Sequence, residues 1–411
     1  MAAPLVIVES PAKARTIAGF LAGTDGFDPN MVEASVGHVR DLPRNAADVP
    51  EANKRTWEIL GVDVDDDFKP LYIISPDKKS RIRELKAKLK GASELYLATD
   101  EDREGEAIAW HLLEVLNPPK NMPVKRMVFH EITPQAIQHA IDNPRDIDRR
   151  LVDAQEARRL LDRIYGYGPL ATTARQKVGV GTTVGRVQSI GTRLVVERER
   201  ERMRFVSASY WDLDGEFSSK QAVDPVTGEI SAGEGRHFNA TLVQVDGSKV
   251  ASGKDFGDDG AISKAGVVVL DEAAVTALAD ELRTSPFNVR SVERKPYRRR
   301  PSPPFITSTF QQEAGRKLRL SASMAMRSAQ SLYEAGYITY MRTDSTTLSE
   351  TALTAARNEI RQRYGAQYLP DAPRQYAKKV KNAQEAHEAI RPAGDVFRSP
   401  CLLYTSPSPR D

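Results

Sequence analysis

The chain has 411 residues, with 59 Lys and Arg against 56 Asp and Glu, a formal net charge of +3. That length accommodates about two to four domains, and 40% apolar with 28% charged residues is an ordinary globular composition. Near-neutral charge excludes a histone-like protein. No run is apolar for long enough to span a bilayer, and a single cysteine, Cys401, excludes an internal disulfide or a cysteine-based zinc site.

MAAPLVIVES at the N-terminus has no basic stretch before its apolar run, so it reads as a first strand and not as a signal peptide, and a cytoplasmic protein is expected. LVIV (5–8) is β-rich. Ser10 as N-cap and Pro11 at the first helical position then start the helix AKARTIAGFLAG. The unit recurs. LYIIS (71–75) leads to DKKSRIRELKAKLK, ELYLATD (94–100) to EDREGEAIAWHLLEVL, and KRMVFHEI (125–132) to TPQAIQHAIDN. Strands alternating with helices predict an α/β domain with a largely parallel sheet over residues 1–150.

Residues 151–205 are helical and Arg-rich. Residues 206–300 alternate in ASYWDLDGEF, HFNATLVQV, GVVVL and NVRSVERKPY, with one short helix over 271–283, and predict a β-rich domain. Residues 301–400 return to helices, STFQQEAGRKL and SASMAMRSAQSLYEAG, the second ended by Gly336, then LSETALTAARNEIRQRYG. No internal repeat is present. Residues 401–411, CLLYTSPSPRD, break with everything before them. They match one reading frame of a transposase adapter used in sequencing libraries, so the native sequence is expected to end at about residue 400.

Asp100 falls at the carboxyl end of a strand, with Asp102 and Glu104 just beyond and Glu9 in the matching position after the first strand. Ligands of open α/β sheets bind at the carboxyl ends of strands. By itself DxDxE fits an acid-rich helix N-terminus. With Glu9 added, four self-repelling carboxylates predict a bound cation such as Mg²⁺. Lys13, one turn after Glu9, is either a phosphate ligand or a solvated side chain. GSKVASGKD (247–255) and VGVGTTVGR (178–186) lack the spacing or the lysine of a nucleotide loop, so ATP is not expected. Basic clusters at 158–163, 192–205 and 289–301 suit a polyanion, although each alone is an ordinary solvated face. In GYITYMRTDS (336–345), an extended backbone would put Tyr340, Arg342 and Asp344 on one face, with Tyr337 packing on the other.

ESPAKA (9–14), GHVRDLP (37–43), ATDEDREGEAIAWHL (98–112), GRVQS (185–189), PFITSTFQQEA (304–314), LYEAGYITYMRTDSTTLS (332–349) and EAHEAIRP (385–392) occur in this order. Together they resemble the type IA family, the bacterial topoisomerases I, across the chain up to Pro400. The resemblance implies a Toprim α/β domain, a helical DNA-binding segment, a β-rich arch and a helical domain with the catalytic tyrosine, parts of a multidomain α/β plus α+β toroid. It implies ATP-independent relaxation of negatively supercoiled DNA by a monomer in the cytoplasm at the nucleoid, through a 5′-phosphotyrosine on Tyr340. Arg342 and Lys13 would stabilise the phosphate, Glu9 would protonate the leaving 3′ oxygen, and His387 would lie near that phosphate. Glu9, Asp100, Asp102 and Glu104 would hold Mg²⁺. DNA contacts would come from His38, Arg158, Arg159, Asp162, Arg186, Gln188 and Arg342. VGVGTTV before GRVQS departs from the family's Leu-Ser-Ala pattern. The family's chain continues past residue 400, so this chain is expected to be an N-terminal part with little relaxation activity alone. A Toprim nuclease or primase-like enzyme would share the acidic cluster without needing the tyrosine, and a non-catalytic DNA-binding module would need neither.

Overall fold

A computed structural model describes residues 2–51, 61–179, 181–218, 222–223, 230–231, 237–376 and 388–397. Four short strands form a parallel sheet in the order β2-β1-β3-β4: β1 (Leu5–Val8), β2 (Val32–Ala34), β3 (Leu95–Leu97) and β4 (Val124–Arg126). Every residue of β1 and β3 is buried, as a parallel sheet covered on both faces requires. Successive side chains point to opposite faces. Leu5 and Ile7 join Leu85, Leu95, Leu97 and Leu112 in one core, while Val6 and Val8 join Ile17, Leu21, Met127 and Phe129 in the other. The second core continues into Ala329, Tyr333, Tyr340 and Met341, so it binds the later helices to the sheet.

The sheet helices are α1 (Pro11–Leu21), α2 (Lys79–Leu89), α3 (Arg103–Leu116) and α4 (Pro134–Asp142). Ser10, Asp102 and Thr133 cap three of them by accepting from backbone N–H groups. Leu71–Ser75 is not a sheet strand. Only Ile73–Ile74 pairs, antiparallel to Arg40–Asp41, while the Leu71 N–H goes to the Gly61 carbonyl and the segment Lys69–Pro70 pairs with Val62–Asp63. Its place is taken by β2, whose mixed VEA sequence carried no clear strand signal. Helix α3 starts two residues later than its sequence suggests, because Asp102 serves as N-cap. Helix α5 (Arg149–Tyr167) packs on α3, and α6 (Pro169–Val178) follows after Gly168.

The chain divides into two compact units, Met1–Val184 with Arg300–Asp411, and Gly185–Arg299. The Gly185–Arg299 unit opens with α7 (Arg186–Arg204), none of whose residues is buried. An antiparallel pair follows, β5 (Asp214–Ser218) with β6 (His237–Thr241), then the three-stranded sheet β7 (Gln244–Val245), β8 (Ser248–Val250) and β9 (Val267–Val268), then α8 (Glu272–Thr284), capped by Asp271. NVRSVERKPY, expected as a strand, joins no ladder among the described residues.

The first unit resumes with α9 (Thr307–Leu318), α10 (Ala322–Glu334) and α11 (Glu350–Tyr364). At the end of α10 Gly336 adopts φ +78°, and a Cβ there would lie 2.4 Å from the Ile132 carbonyl oxygen, so glycine is required twice over. The next residues are held from both sides. Thr339 N donates to Arg391 O at 2.9 Å, and Tyr340 N donates to His130 O at 2.9 Å.

Beneath the carboxyl edge of the sheet, Arg126 is buried within β4. Its guanidinium donates to Glu106 Oε2 at 3.1 Å and to the carbonyls of Leu97, Thr99, Asp100 and Met127 at 2.6–3.0 Å. Glu106 also accepts two bonds from Arg145 and one from the Asp148 N–H. Arg126→Ala removes the buried countercharge nearest Glu106, leaves the carboxylate to Arg145 and the Asp148 N–H, and takes a donor from four carbonyls. It should cost about 3–5 kcal/mol in urea unfolding, whereas Arg150→Ala, an exposed substitution, should shift stability by less than about 0.5 kcal/mol.

Candidate active site

The turns after β1 and β3 bring Glu9 and Asp100 side by side. The Asp100 N–H donates to Glu9 Oε1. The Lys13 ammonium, brought in on the first turn of α1, donates to Glu9 Oε2 at 2.5 Å and to Asp100 Oδ1. Lys13 is 1% exposed, so it is an internal countercharge and not the solvated lysine that was one sequence reading. Burial works against its charge, but Glu9 and Asp100 outweigh burial and push it up to about 12. Asp100 is raised to about 7, by burial first and by Glu9 second, with Lys13 opposing.

Asp102 has a double duty. Its Oδ1 caps α3 by accepting from Gly105 N at 2.9 Å, and its Oδ2 accepts from the Tyr340 hydroxyl at 2.5 Å. A Cβ on Gly105 would fall 2.2 Å from the Asp100 carbonyl oxygen, so only glycine lets α3 begin this close to the loop. Tyr340 is buried. Burial, then the charges of Asp100 and Asp102, hold its phenol well above the ordinary range, while Arg342 pulls the other way. The phenol is therefore protonated, and it donates.

Sequence reasoning missed Tyr333. It is fully buried on α10, donates to Asp100 Oδ1 at 3.0 Å, meets the Tyr340 ring edge-on at 5.3 Å, and has the Lys13 ammonium 5.1 Å from its ring centre. The buried stripe Ala325, Ala329, Tyr333 on α10 has helical spacing and marks a core face. Nothing in that spacing tells that the hydroxyl reaches an aspartate from the sheet edge. Tyr337, read as packing, is instead 42% exposed. The expected alternation holds over 341–344, with Met341 and Thr343 buried and Arg342 and Asp344 exposed, but Tyr340 is drawn inward to Asp102.

A cavity of about 650 Å³ is lined by Glu9, Lys13, Asp100, Asp102, Glu104, Arg327, Tyr340 and Arg342, among others. Its hard oxygen donors and the raised Asp100 fit a divalent cation. They do not close on one point, however. Among the described residues no three His, Cys, Asp or Glu side chains are grouped as a metal site, and Glu104 turns to His38 Nε2 at 3.5 Å and Gln155 Nε2 at 3.1 Å.

A second cavity, of about 320 Å³, is lined by His38, Asp41, Tyr72, Glu104, His111, Gln155, Arg158, Arg159 and Asp162. It unites four of the expected DNA contacts. Arg159 is fixed by a two-pronged bond to Asp41 at 2.9 and 2.5 Å. Arg40 donates to His111 Nδ1 at 2.7 Å. Burial, then Arg40 and His38, lower His111 to about 3. Arg186 and Gln188 lie at the start of α7 in the other unit. His387 lies outside the described residues.

A parallel sheet with this acid-bearing edge, ending in a buried phenol, defines a Toprim domain joined to a tyrosine-carrying segment. The Toprim family model matches residues 4–132, and the family model described as DNA topoisomerase matches residues 146–402. The chain belongs to the bacterial type IA DNA topoisomerase family. It is 59% identical over 404 residues to DNA topoisomerase 1 of Mycolicibacterium smegmatis, covering 98% of this chain and 42% of the relative. It is 58% identical over 398 residues to that of Streptomyces coelicolor, covering 96% and 40%. The structure of full-length topoisomerase I from Thermotoga maritima superposes with a TM-score of 0.65 at 33% identity, covering 94% of this chain and 55% of that one. The chain thus spans about two-fifths of the length of these curated relatives. No helix among the described residues is long and apolar enough to cross a membrane.

Two outcomes follow from the packing. Gly105→Ala must displace the Asp100 backbone and should lower stability by about 1–3 kcal/mol in thermal unfolding. His111 is neutral when folded and must charge on unfolding in acid. Its contribution is present above pH 6.5 and is lost as pH falls toward 3. His111→Gln should therefore flatten the fall in urea-unfolding stability across that window by on the order of a few kcal/mol.

Proposed function

We propose that the protein is an ATP-independent DNA topoisomerase that works as a monomer in the cytoplasm, at the nucleoid. At the length of its relatives it would relax negatively supercoiled DNA by cutting one strand, passing the other and rejoining the cut, while this chain, about two-fifths of that length, should relax little on its own. The observation that carries this reading is the Tyr340 hydroxyl placed 2.5 Å from a carboxylate, in a cavity that also holds Lys13, Arg327 and Arg342. On this reading residues 1–150 act as the Toprim domain and 151–205 as a helical DNA-binding segment. Residues 206–300 form a β-rich arch, and 301–400 carry the nucleophile.

A buried phenol is a poor nucleophile until its proton has somewhere to go. Asp102 Oδ2 is the acceptor in place. As the Tyr340 oxygen attacks phosphorus, its proton moves to Asp102 and the bond to the 3′ oxygen breaks; Glu9, having first taken up a proton from solvent, would pass it to that leaving oxygen. Lys13 and Arg342 face the extra negative charge on the phosphoryl oxygens. The 5′ phosphate remains joined to Tyr340 until the 3′ hydroxyl reverses the step, so the bond energy is retained and ATP is unnecessary. Mg²⁺ would be held by Asp100 and Asp102 with Glu9 or Glu104, and would supply positive charge that positions the cut ends for rejoining. His38, Arg158, Arg159 and Asp162 would hold the single strand in the neighbouring cavity.

The test is a labelled single-stranded oligonucleotide mixed with the protein and quenched with denaturant. A covalent adduct is expected from the wild type. Tyr340→Phe should lower it by on the order of 10³-fold or more, and Arg342→Ala by about 10²–10³-fold. Cutting without any adduct would instead support a Toprim nuclease, and an unchanged adduct from Tyr340→Phe would sink the assignment.

A further inference from the structure

Glu101 lies between the two loop aspartates but does not line the 650 Å³ cavity. It is buried, and it forms an ion pair with His130 Nδ1. A buried carboxylate in an already acidic loop is unfavourable unless a cation stands beside it. The hydrogen bond to Glu101 lifts the His130 imidazole above its ordinary range despite partial burial, and Glu388 and Glu131 add to the effect. His130 has a second attachment, because its carbonyl oxygen accepts from the Tyr340 N–H at 2.9 Å. Its neighbour Glu131 binds Arg391 Nη1 at 2.9 Å, and the Arg391 carbonyl accepts from Thr339 N at 2.9 Å. The backbone just at the nucleophile is thus hung from the segment that follows β4.

We propose that His130 is a positioning residue that ties the two halves of the site together: its ring anchors Glu101, and with it the loop of Asp100 and Asp102, while its carbonyl oxygen anchors the backbone of Tyr340. A shift of the loop then carries the tyrosine with it, and the Tyr340 hydroxyl stays within reach of Asp102. The proposal rests on the reading of Tyr340 as nucleophile, and its test has one arm that does not.

That arm is hydrogen exchange of the Tyr340 amide in the full chain, followed by mass spectrometry of the peptide over 337–341. His130→Ala should speed this exchange by about tenfold or more. Glu101→Gln should act in the same direction, and the double variant should be no faster than His130→Ala alone. Glu101→Gln with His130→Asn, an uncharged pair still able to hydrogen-bond, should restore most of the protection. In the second arm, adduct formation on the oligonucleotide should slow by about tenfold in His130→Ala while oligonucleotide affinity stays within about twofold. Exchange within twofold of wild type in His130→Ala overturns the proposal. If that variant does not fold, unchanged exchange in Glu101→Gln, which buries no charge, overturns it equally. A wild-type chain without adduct would defeat the nucleophile reading, and the exchange arm would still decide the role of His130.

Discussion

The site depends first on one guanidinium. Arg126 has lost all contact with water, and a desolvated charge is tolerated only when every donor is satisfied in good geometry. Its planar fork meets Glu106 and the carbonyls of the residues that leave β3, so those carbonyls have one permitted arrangement. Lysine could not span them. Glu106 extends the cluster to Arg145 and to the start of α5, and this joins the sheet edge, α3 and α5. The sheet edge lines the larger cavity, α5 the smaller, and α3 both.

On that frame the site holds more carboxylates than cations. Lys13 compensates Glu9 and Asp100, and the two phenols complete the pattern by donating to Asp100 and Asp102. This is a resting arrangement in which tyrosinate is disfavoured. A phosphodiester would bring further negative charge, so its entry must be met by Arg327, Arg342 and a bound cation. The same excess of acid that keeps the phenol inert also makes the cavity attractive to a metal ion.

Much of this was legible in the sequence where chemistry and periodicity coincide. The N-cap Ser10, Gly336 at the end of α10, the buried runs of β1 and β3, and the strand-end acids Glu9 and Asp100 were readable because each rests on local rules, whereas Tyr340 was singled out by its motif context. Other features depend on partners far away in the chain. Strand β2 is three residues of mixed polarity that become a strand only beside β1. Arg126 looks like one more charge in KRMVF, yet it is the largest fully buried side chain among the described residues. Tyr333 and His130 act through contacts with residues more than 200 and about 30 positions away. In the segment after Gly336 alternation ranked Tyr337 as the packed ring and Tyr340 as the accessible one. The pull of Asp102 reversed that order.

Glu104 belongs to both cavities, and a carboxylate has only two oxygens. In the described state one oxygen serves His38 and Gln155 on the far side of the wall. Their bonds hold its carboxyl below the usual range, the hydrogen bond from His38 foremost. An occupant of the smaller cavity that bound His38 would free that oxygen toward the larger one. Linkage makes the exchange mutual: an occupant of the larger cavity must alter affinity in the smaller by the same factor. Glu104 is the side chain at which the two hollows meet.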